Sequence, residues 1–287
     1  PFTADDVVFS VIRAKSPVST FSVYAHAVGT PVAVDPLTVE FRLDKVNPVF
    51  LQHVDTLSII SRAWADKHKV QRPLDFKNKE ESYASFNANG TGPYQLVQRQ
   101  PGIKTTFKRN PAWWGRAEGN VQEIVYTPIA NDATRLAALI SGEIDFVLDP
   151  APRDIARLRS INGVKVIEGP ENRLIFIGMD QQRDELLYGS VKDRNPFKDV
   201  RVRRALYQAV DIETMRTKLM NGLAVPTGGH TPSPQGAYND AELERRLPFD
   251  LAAARRLMAD AGYADGFEVT LDCPNNRYVN DEEICIA

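Results

Sequence analysis

Between Gly90 and Asp145 the chain alternates turn signals with short apolar runs in an order that few architectures accept. The stretch reads GTGPYQLVQRQPGIKTTFKRNPAWWG, followed by VQEIVYTPIANDATRLAALISGEIDF. Pro101-Gly102 separates two runs, residues 94–98 and 104–108, whose spacing predicts a β-hairpin. Residues 121–128 read as a further strand. Asn131 or Asp132 then caps a helix in which Leu136, Leu139 and Ile140 share a face, and Gly142 stops it. Residues 144–148 return as a strand. Strand, helix and strand in that order predict a right-handed crossover in a parallel sheet. A second helix-Gly-strand unit is expected from helix 153–160, Gly163 and strand 164–168, and the nearly continuous apolar run 173–179 is a further strand.

The flanks carry similar signals. Thr3 caps a helix over residues 4–14, with the Asp6 carboxylate reaching back. Residues 31–45 form two strands about Asp35-Pro36, because Val39, Phe41 and Leu43 alternate with polar neighbours. Residues 47–68 carry mixed helix signals, and 69–89 is the most loop-like part, with a short helix expected at 80–86. In the last third, helices begin at caps Asp199, Asp211 and Asp250, and Gly222 and Gly262 end the second and third. Residues 222–239 are rich in Pro and Gly, and 267–271 read as a strand.

A chain of 287 residues is long enough for two domains. A formal charge of −2 gives no case for nucleic acid or an anionic membrane surface as a partner. No apolar run approaches the ~18 residues of a spanning helix. Pro1 leads straight into a helix signal, and DEEICIA begins a helix that stops after about two turns. The chain is therefore expected to be a segment of a longer protein. Its two cysteines, Cys273 and Cys285, are too few for a disulfide framework. They either bridge a short loop to each other, stay unpaired, or pair elsewhere.

Enzymatic signals are sparse. The four histidines, His26, His53, His68 and His230, stand at no ligand spacing, so no metal and no cofactor is expected. There is no G-x-S-x-G elbow, P-loop or G-x-G-x-x-G, and the Gly90-Thr91-Gly92 turn leads into a hairpin, not a phosphate-cradling helix. Trp113 and Trp114 are expected to anchor the hairpin to the core and to cover its edge. Arg201, Arg203 and Arg204 read as the wet face of a helix.

Clefts in open α/β sheets lie beyond the carboxyl ends of strands. Two places fit: the exit of strand 144–148 through Asp149-Pro150-Ala151-Pro152, and Glu171-Asn172-Arg173 ahead of strand 173–179. Asp149 either caps the next helix or lines a cleft. Arg173 either pairs with Glu171 at the surface or faces a ligand carboxylate, for which its planar fork is suited.

Five motifs in one order resemble a known family: PFTADDVVFSVIRA, the block from GTGPY to GEIDF, NPFKDVRVRRALYQAVDIETM, FDLAAARRLMADAGY and NDEEI. They are similar to the dipeptide- and oligopeptide-binding proteins of ABC importers, the family 5 extracellular solute-binding proteins. The resemblance implies an α/β, bilobal periplasmic-binding-protein-like fold (type II, large peptide-binding class), of which this chain is an incomplete segment. Residues 1–88 would form the accessory subdomain of the first lobe, 89–172 its main sheet, and 173–287 the hinge strand and the start of the second lobe. It also implies ligand contacts at Phe21, at Leu148, Asp149 and Pro150, and at Glu171, Phe176 and Gly178, with Arg173 beside them.

The expected partners are a small solute, a peptide first of all, and an ABC permease in the membrane. The protein is expected to be a monomer, periplasmic or extracellular and membrane-anchored, and not an enzyme. Gly178 and Met179 stand where several peptide binders carry aromatic or acidic groups, and relatives bind nickel chelates, haem, sugars or opines. The groups that pin a peptide's two ends are expected beyond Ala287. Two other classes stay open: a hydrolase using Asp149 or Glu171 as general base, and a ligand-sensing module for a membrane receptor.

Overall fold

The computed structural model describes residues 2–116, 118–231, 236, 239–275 and 277–287. Contacts divide the chain into two compact units, Pro1–Pro128 and Ile129–Ala287.

In unit 1 the first helix, α1 (Ala4–Ala14), starts as its capping signal predicts. One Asp6 carboxylate oxygen accepts the Thr3 N–H at 2.8 Å. The other accepts the Arg62 N–H at 2.8 Å, so one buried side chain serves two helix starts. Burial pushes the Asp6 carboxyl up, but those backbone donors outweigh it and hold it below the ordinary 3.8. Next come α2 (Ser22–Ala27), the antiparallel pair β1 (Thr30–Asp35) and β2 (Thr38–Arg42), then α3 (Phe50–Asp55) and α4 (Arg62–Lys67). Gly29 has φ +73°, and a Cβ there would stand 2.2 Å from the Arg42 carbonyl oxygen, so only glycine lets α2 run into β1. Val11, Ala25, Val28 and Leu57 form the core, with Phe41 and Phe50 edge-on above it at 5.4 Å.

The predicted hairpin is β3 (Tyr94–Gln100) against β4 (Lys104–Arg109), turning at Gly102 with φ +73°. A third strand, β5 (Glu123–Tyr126), joins β4 antiparallel. The short helix expected at 80–86 is a single 3-10 turn, Tyr83–Ser85. Trp113 is half-buried and its ring closes over Gly115, but Trp114 is 85% exposed. Trp113 is thus the ring that packs inward, and Trp114 leaves most of its surface to solvent.

Unit 2 opens with α5 (Asp132–Ser141), capped by Asn131 through the Thr134 N–H at 2.9 Å and ended by Gly142 at φ +78°. A 3-10 turn, Pro152–Asp154, leads into α6 (Ile155–Arg159). Leu136, Ile155 and Leu158 are buried together, with Leu139, Val164 and Val166 against them. Then follow α7 (Val200–Ala209), α8 (Ile212–Thr214) running on into a π-turn (Met215–Leu219), and α9 (Leu251–Asp260). Asp199, Asp211 and Asp250 each accept a first-turn N–H, from Arg201, Thr214 and Ala253 at 2.8, 3.0 and 2.8 Å. Val202, Ala205 and Ala254 are buried where α7 meets α9. The chain closes with α10 (Asp281–Ile286), tied back by a disulfide between Cys273 and Cys285 with Cα atoms 6.2 Å apart.

The strands expected in unit 2 are corrected. Residues 144–148, 164–168 and 173–179 run without a ladder, and 267–271 keeps one antiparallel bridge, Val269 to Gly189. Among the described residues every pairing is antiparallel, so the predicted parallel crossover is not formed. The apolar pattern still sorts one of these segments, turning Val164 and Val166 inward while Ile167 stays 81% exposed. A helix satisfies its backbone within itself, and a hairpin partner lies a few residues away. A strand in a parallel sheet needs a neighbour from a distant segment, and apolar alternation does not supply one.

Candidate functional site

In unit 2, residues 171–179 follow a stretch with no helix-forming period and cannot satisfy their own backbone. Among the described residues none of their N–H or C=O groups enters a backbone–backbone hydrogen bond. Leu174 and Met179 are half-buried, whereas Ile175, Phe176 and Ile177 face outward, Phe176 at 63% exposure. The Phe176 ring meets His230 edge-on at 4.9 Å. A Cβ at Gly178 would lie 3.8 Å from the Phe176 ring, an ordinary contact, so packing does not demand a glycine.

Glu171 and Arg173 form an exposed ion pair at 2.7 Å, the surface alternative of the two the sequence left open. The Arg173 guanidinium also lies 5.3 Å from the centre of the Tyr278 ring. Arg277 lies over the same ring at 5.2 Å, and its Nε donates to the Tyr278 hydroxyl at 2.8 Å. This end of the chain is held by Asp281, whose Oδ2 accepts the N–H groups of Arg277 and Tyr278 at 2.8 and 2.9 Å. Burial pushes the Asp281 carboxyl up, but the N–H donors of Tyr278, Arg277 and Glu282 leave it below the ordinary 3.8. Asn280 takes a left-handed φ of +54° and its Nδ2 donates to the Leu219 carbonyl at 2.9 Å.

Residues 148–150 leave Leu148 and Asp149 exposed, Leu148 at 71%. Asp149 sits at φ +52°, and the turn that follows is capped at Ala151, so the capping alternative is not the one formed. Pro150 is half-buried beside Leu136 and Leu158, over a cavity of about 10 Å³ that admits a water molecule and no solute. Phe21, in unit 1, stands just before α2 with its side chain 48% exposed.

A broader groove of about 520 Å³ lies between the 184–195 loop and the start of α7. Its charges answer one another. Lys198 meets Asp184 at 2.5 Å and Arg201 meets Asp199 at 2.6 Å, while Arg194 stacks on Tyr263 at 4.8 Å. The Arg201 guanidinium beside Asp199 holds that carboxyl at about 2. Among the described residues no three His, Cys, Asp or Glu side chains stand where they could hold a metal, and no helix is long and apolar enough to cross a membrane.

The residues picked from the sequence thus fall into three places: Phe21 in unit 1, Leu148 to Pro150 after α5, and Glu171, Arg173, Phe176 and Gly178 on the unpaired segment. Sequence reasoning missed Tyr278, Arg277 and His230. The Arg-Tyr pair directly ahead of the acidic start of α10 was the available signal for the first two.

Comparison with known proteins extends over the whole chain. The family described as bacterial extracellular solute-binding proteins, family 5 middle, matches residues 1–287. The dipeptide-binding protein of Escherichia coli is 27% identical over 286 residues, covering 93% of this chain and 49% of that protein. The glutathione-binding protein GsiB of Salmonella paratyphi A is 29% identical over 283 residues, covering 96% and 50%. Among solved structures, the oligopeptide-binding protein AppA of Bacillus subtilis, in complex with a nonapeptide, superposes with a TM-score of 0.70 at 19% identity, covering 91% of this chain and 49% of that one. The chain spans about half the length of the curated relatives it matches, and its fold is that of a part of a bilobal periplasmic binding protein, with helix and sheet mixed.

Proposed function

The chain belongs to family 5 of the bacterial extracellular solute-binding proteins, and from that premise we propose that it serves as part of the substrate-binding component of an ABC importer. In this reading the protein works outside the cytoplasmic membrane, in the periplasm or at the cell surface. It captures a peptide or similar small solute in a cleft between two lobes and delivers it to a membrane permease. Residues 1–88 and 89–172 would build the first lobe, and 173–287 the hinge strand and the start of the second. Phe21, Leu148, Asp149, Pro150, Glu171, Arg173, Phe176 and Gly178 would face the solute. The protein would act as a monomer.

The observation that carries this reading is the backbone of 171–179, which enters no backbone–backbone hydrogen bond among the described residues while Ile175, Phe176 and Ile177 face outward. Such a backbone holds an extended peptide by strand addition: main-chain hydrogen bonds give affinity, and tolerant pockets take varied side chains. Closure of the lobes would dry the cleft and strengthen those bonds, with the solute favouring the closed state by its tighter contacts there. Against a hydrolase, Asp149 and Glu171 are exposed, and Glu171 is already engaged by Arg173. Neither has the burial that would make it a useful general base.

The test is hydrogen exchange of the chain with and without a tetrapeptide panel, alongside native mass spectrometry. Amides 173–179 are expected to exchange freely alone and to slow when a peptide is retained intact. Release of shortened peptides would move the protein into the hydrolase class. Retention of a peptide without protection of 173–179 would place the contact elsewhere.

A further inference from the structure

Unit 2 buries its apolar residues in two separate places. Leu136, Ile155 and Leu158 pack together, and the apolar side chains against them all come from residues 139–166. Val202, Ala205 and Ala254 are buried where α7 meets α9. The chain between these two parts, 173–179, enters no backbone–backbone hydrogen bond among the described residues. Among those residues one hydrogen-bonded ion pair joins 129–172 to 180–287: Arg153 Nη1 donates to Glu283 Oε1 at 3.3 Å, with both side chains exposed. Each end of that pair is mounted on its own part. Arg153 leads into α6 and turns Nη2 toward Asp132 Oδ2 at 3.5 Å, and Asp132 is itself held by Arg135 at 2.6 Å. Glu283 stands on α10, which the Cys273–Cys285 disulfide and the Asn280 bond to the Leu219 carbonyl tie back to the second part.

We propose that Arg153 and Glu283 are a latch that favours the closed arrangement of these two parts. The proposal rests on the capture reading, in which 89–172 belong to the first lobe and 173–287 begin the second. With the latch made, the local charge closes, because Asp132 and Glu283 answer Arg135 and Arg153. When the lobes part, Arg153 keeps Asp132 and Glu283 returns to water, so neither state strands a charge. An exposed pair contributes too little to hold a fold, and too little to shut the lobes without a solute. It is enough to change the ratio of open to closed forms a few-fold, and solute affinity follows that ratio. In this role the pair touches no solute. Its loss therefore weakens every solute by the same factor, whereas loss of a cleft contact discriminates among them. Both partners face solvent, so salt screens the latch.

The experiment uses the full-length protein with spin labels at Lys165 and Arg204, exposed positions on either side of 173–179. Electron-spin distance distributions are recorded alone and with di-, tri- and tetra-alanine, whose affinities are measured by calorimetry. Two distances are expected, with the peptides favouring the one this structure has. Arg153→Gln and Glu283→Gln should each shift the populations away from that distance and weaken all bound peptides alike, by roughly two- to fivefold. The double variant should do no more than either single change, because the one interaction is lost only once. Raising the salt should bring the unaltered protein to the level of the variants. Glu168→Gln, which breaks the exposed Arg159–Glu168 pair inside the first part, should change nothing. An unchanged distribution in Glu283→Gln, or single effects that multiply in the double variant, overturns the latch. Populations that respond to the variants but to no alanine peptide remove the peptide-capture reading and leave the latch.

Discussion

In unit 1 two strand pairs are hairpins, β1 and β2 separated by Pro36 and Leu37 and β3 and β4 by residues 101–103, while β5 joins β4 across residues 110–122. In unit 2 the apolar segments 144–148, 164–168 and 173–179 have no ladder, while the helices around them are capped and packed. The difference teaches what each element requires. A helix needs a cap and a buried face, both local or nearly so. A hairpin needs a turn. A strand without a hairpin partner needs another segment of backbone, and where none lies beside it no ladder forms. In the proposed function, that unpaired backbone of 173–179 is what would take an extended peptide.

The comparison breaks or sharpens most strongly in the Leu136–Ile155–Leu158 cluster. Leu158 is 2% exposed. Leu158→Ala is therefore expected to cost about 2–4 kcal/mol in urea unfolding, whereas Ile167→Ala, on the unladdered segment, should stay within about 0.5 kcal/mol. Equal losses at the two positions would mean that the segment is packed as firmly as the helices.

A smaller effect is expected at the α9 cap, where Asp250 accepts the Ala253 N–H. Asp250→Ala should lower stability by about 1 kcal/mol. No change would show that the helices of unit 2 do not depend on their caps as argued.

The smallest is a pH effect at the start of α7. Arg201 holds the Asp199 carboxyl at about 2, below its ordinary 3.8. The stabilisation from Asp199 is thus fully present above pH 3.8 and is lost as pH falls towards 2, when the folded-state carboxylate takes up its proton. The protection of the Arg201 amide, relative to its intrinsic exchange rate at each pH, should fall across that interval and stay level above it, and a loss of protection that begins near neutrality would contradict the assignment.

Much of this was legible beforehand. Thr3 with Asp6, Asn131, Asp199, Asp211 and Asp250 announced helix starts because a short polar side chain before an apolar period has one good use there. The hairpin at Pro101-Gly102 was legible for the same local reason. Of the site, Glu171, Arg173 and Phe176 were picked out, but Tyr278 and Arg277 were not, because more than ninety residues separate them from Arg173 and no periodicity joins them. Nor did spacing decide the pairing of Cys273 with Cys285, which depends on α10 folding back to bring the two Cα atoms within 6.2 Å.

The sequence by itself determined α1 and α5 to α10, the hairpins and the family, because each is written in residues that are neighbours along the chain or in motifs held in a fixed order. It did not give α2, which forms where a loop around Phe21 and Tyr24 was expected. Only the tertiary structure decided which apolar segments gained strand partners, which left their backbone open, and which cations came to share one ring. Those outcomes depend on contacts between distant residues, and such contacts leave no mark in local spacing.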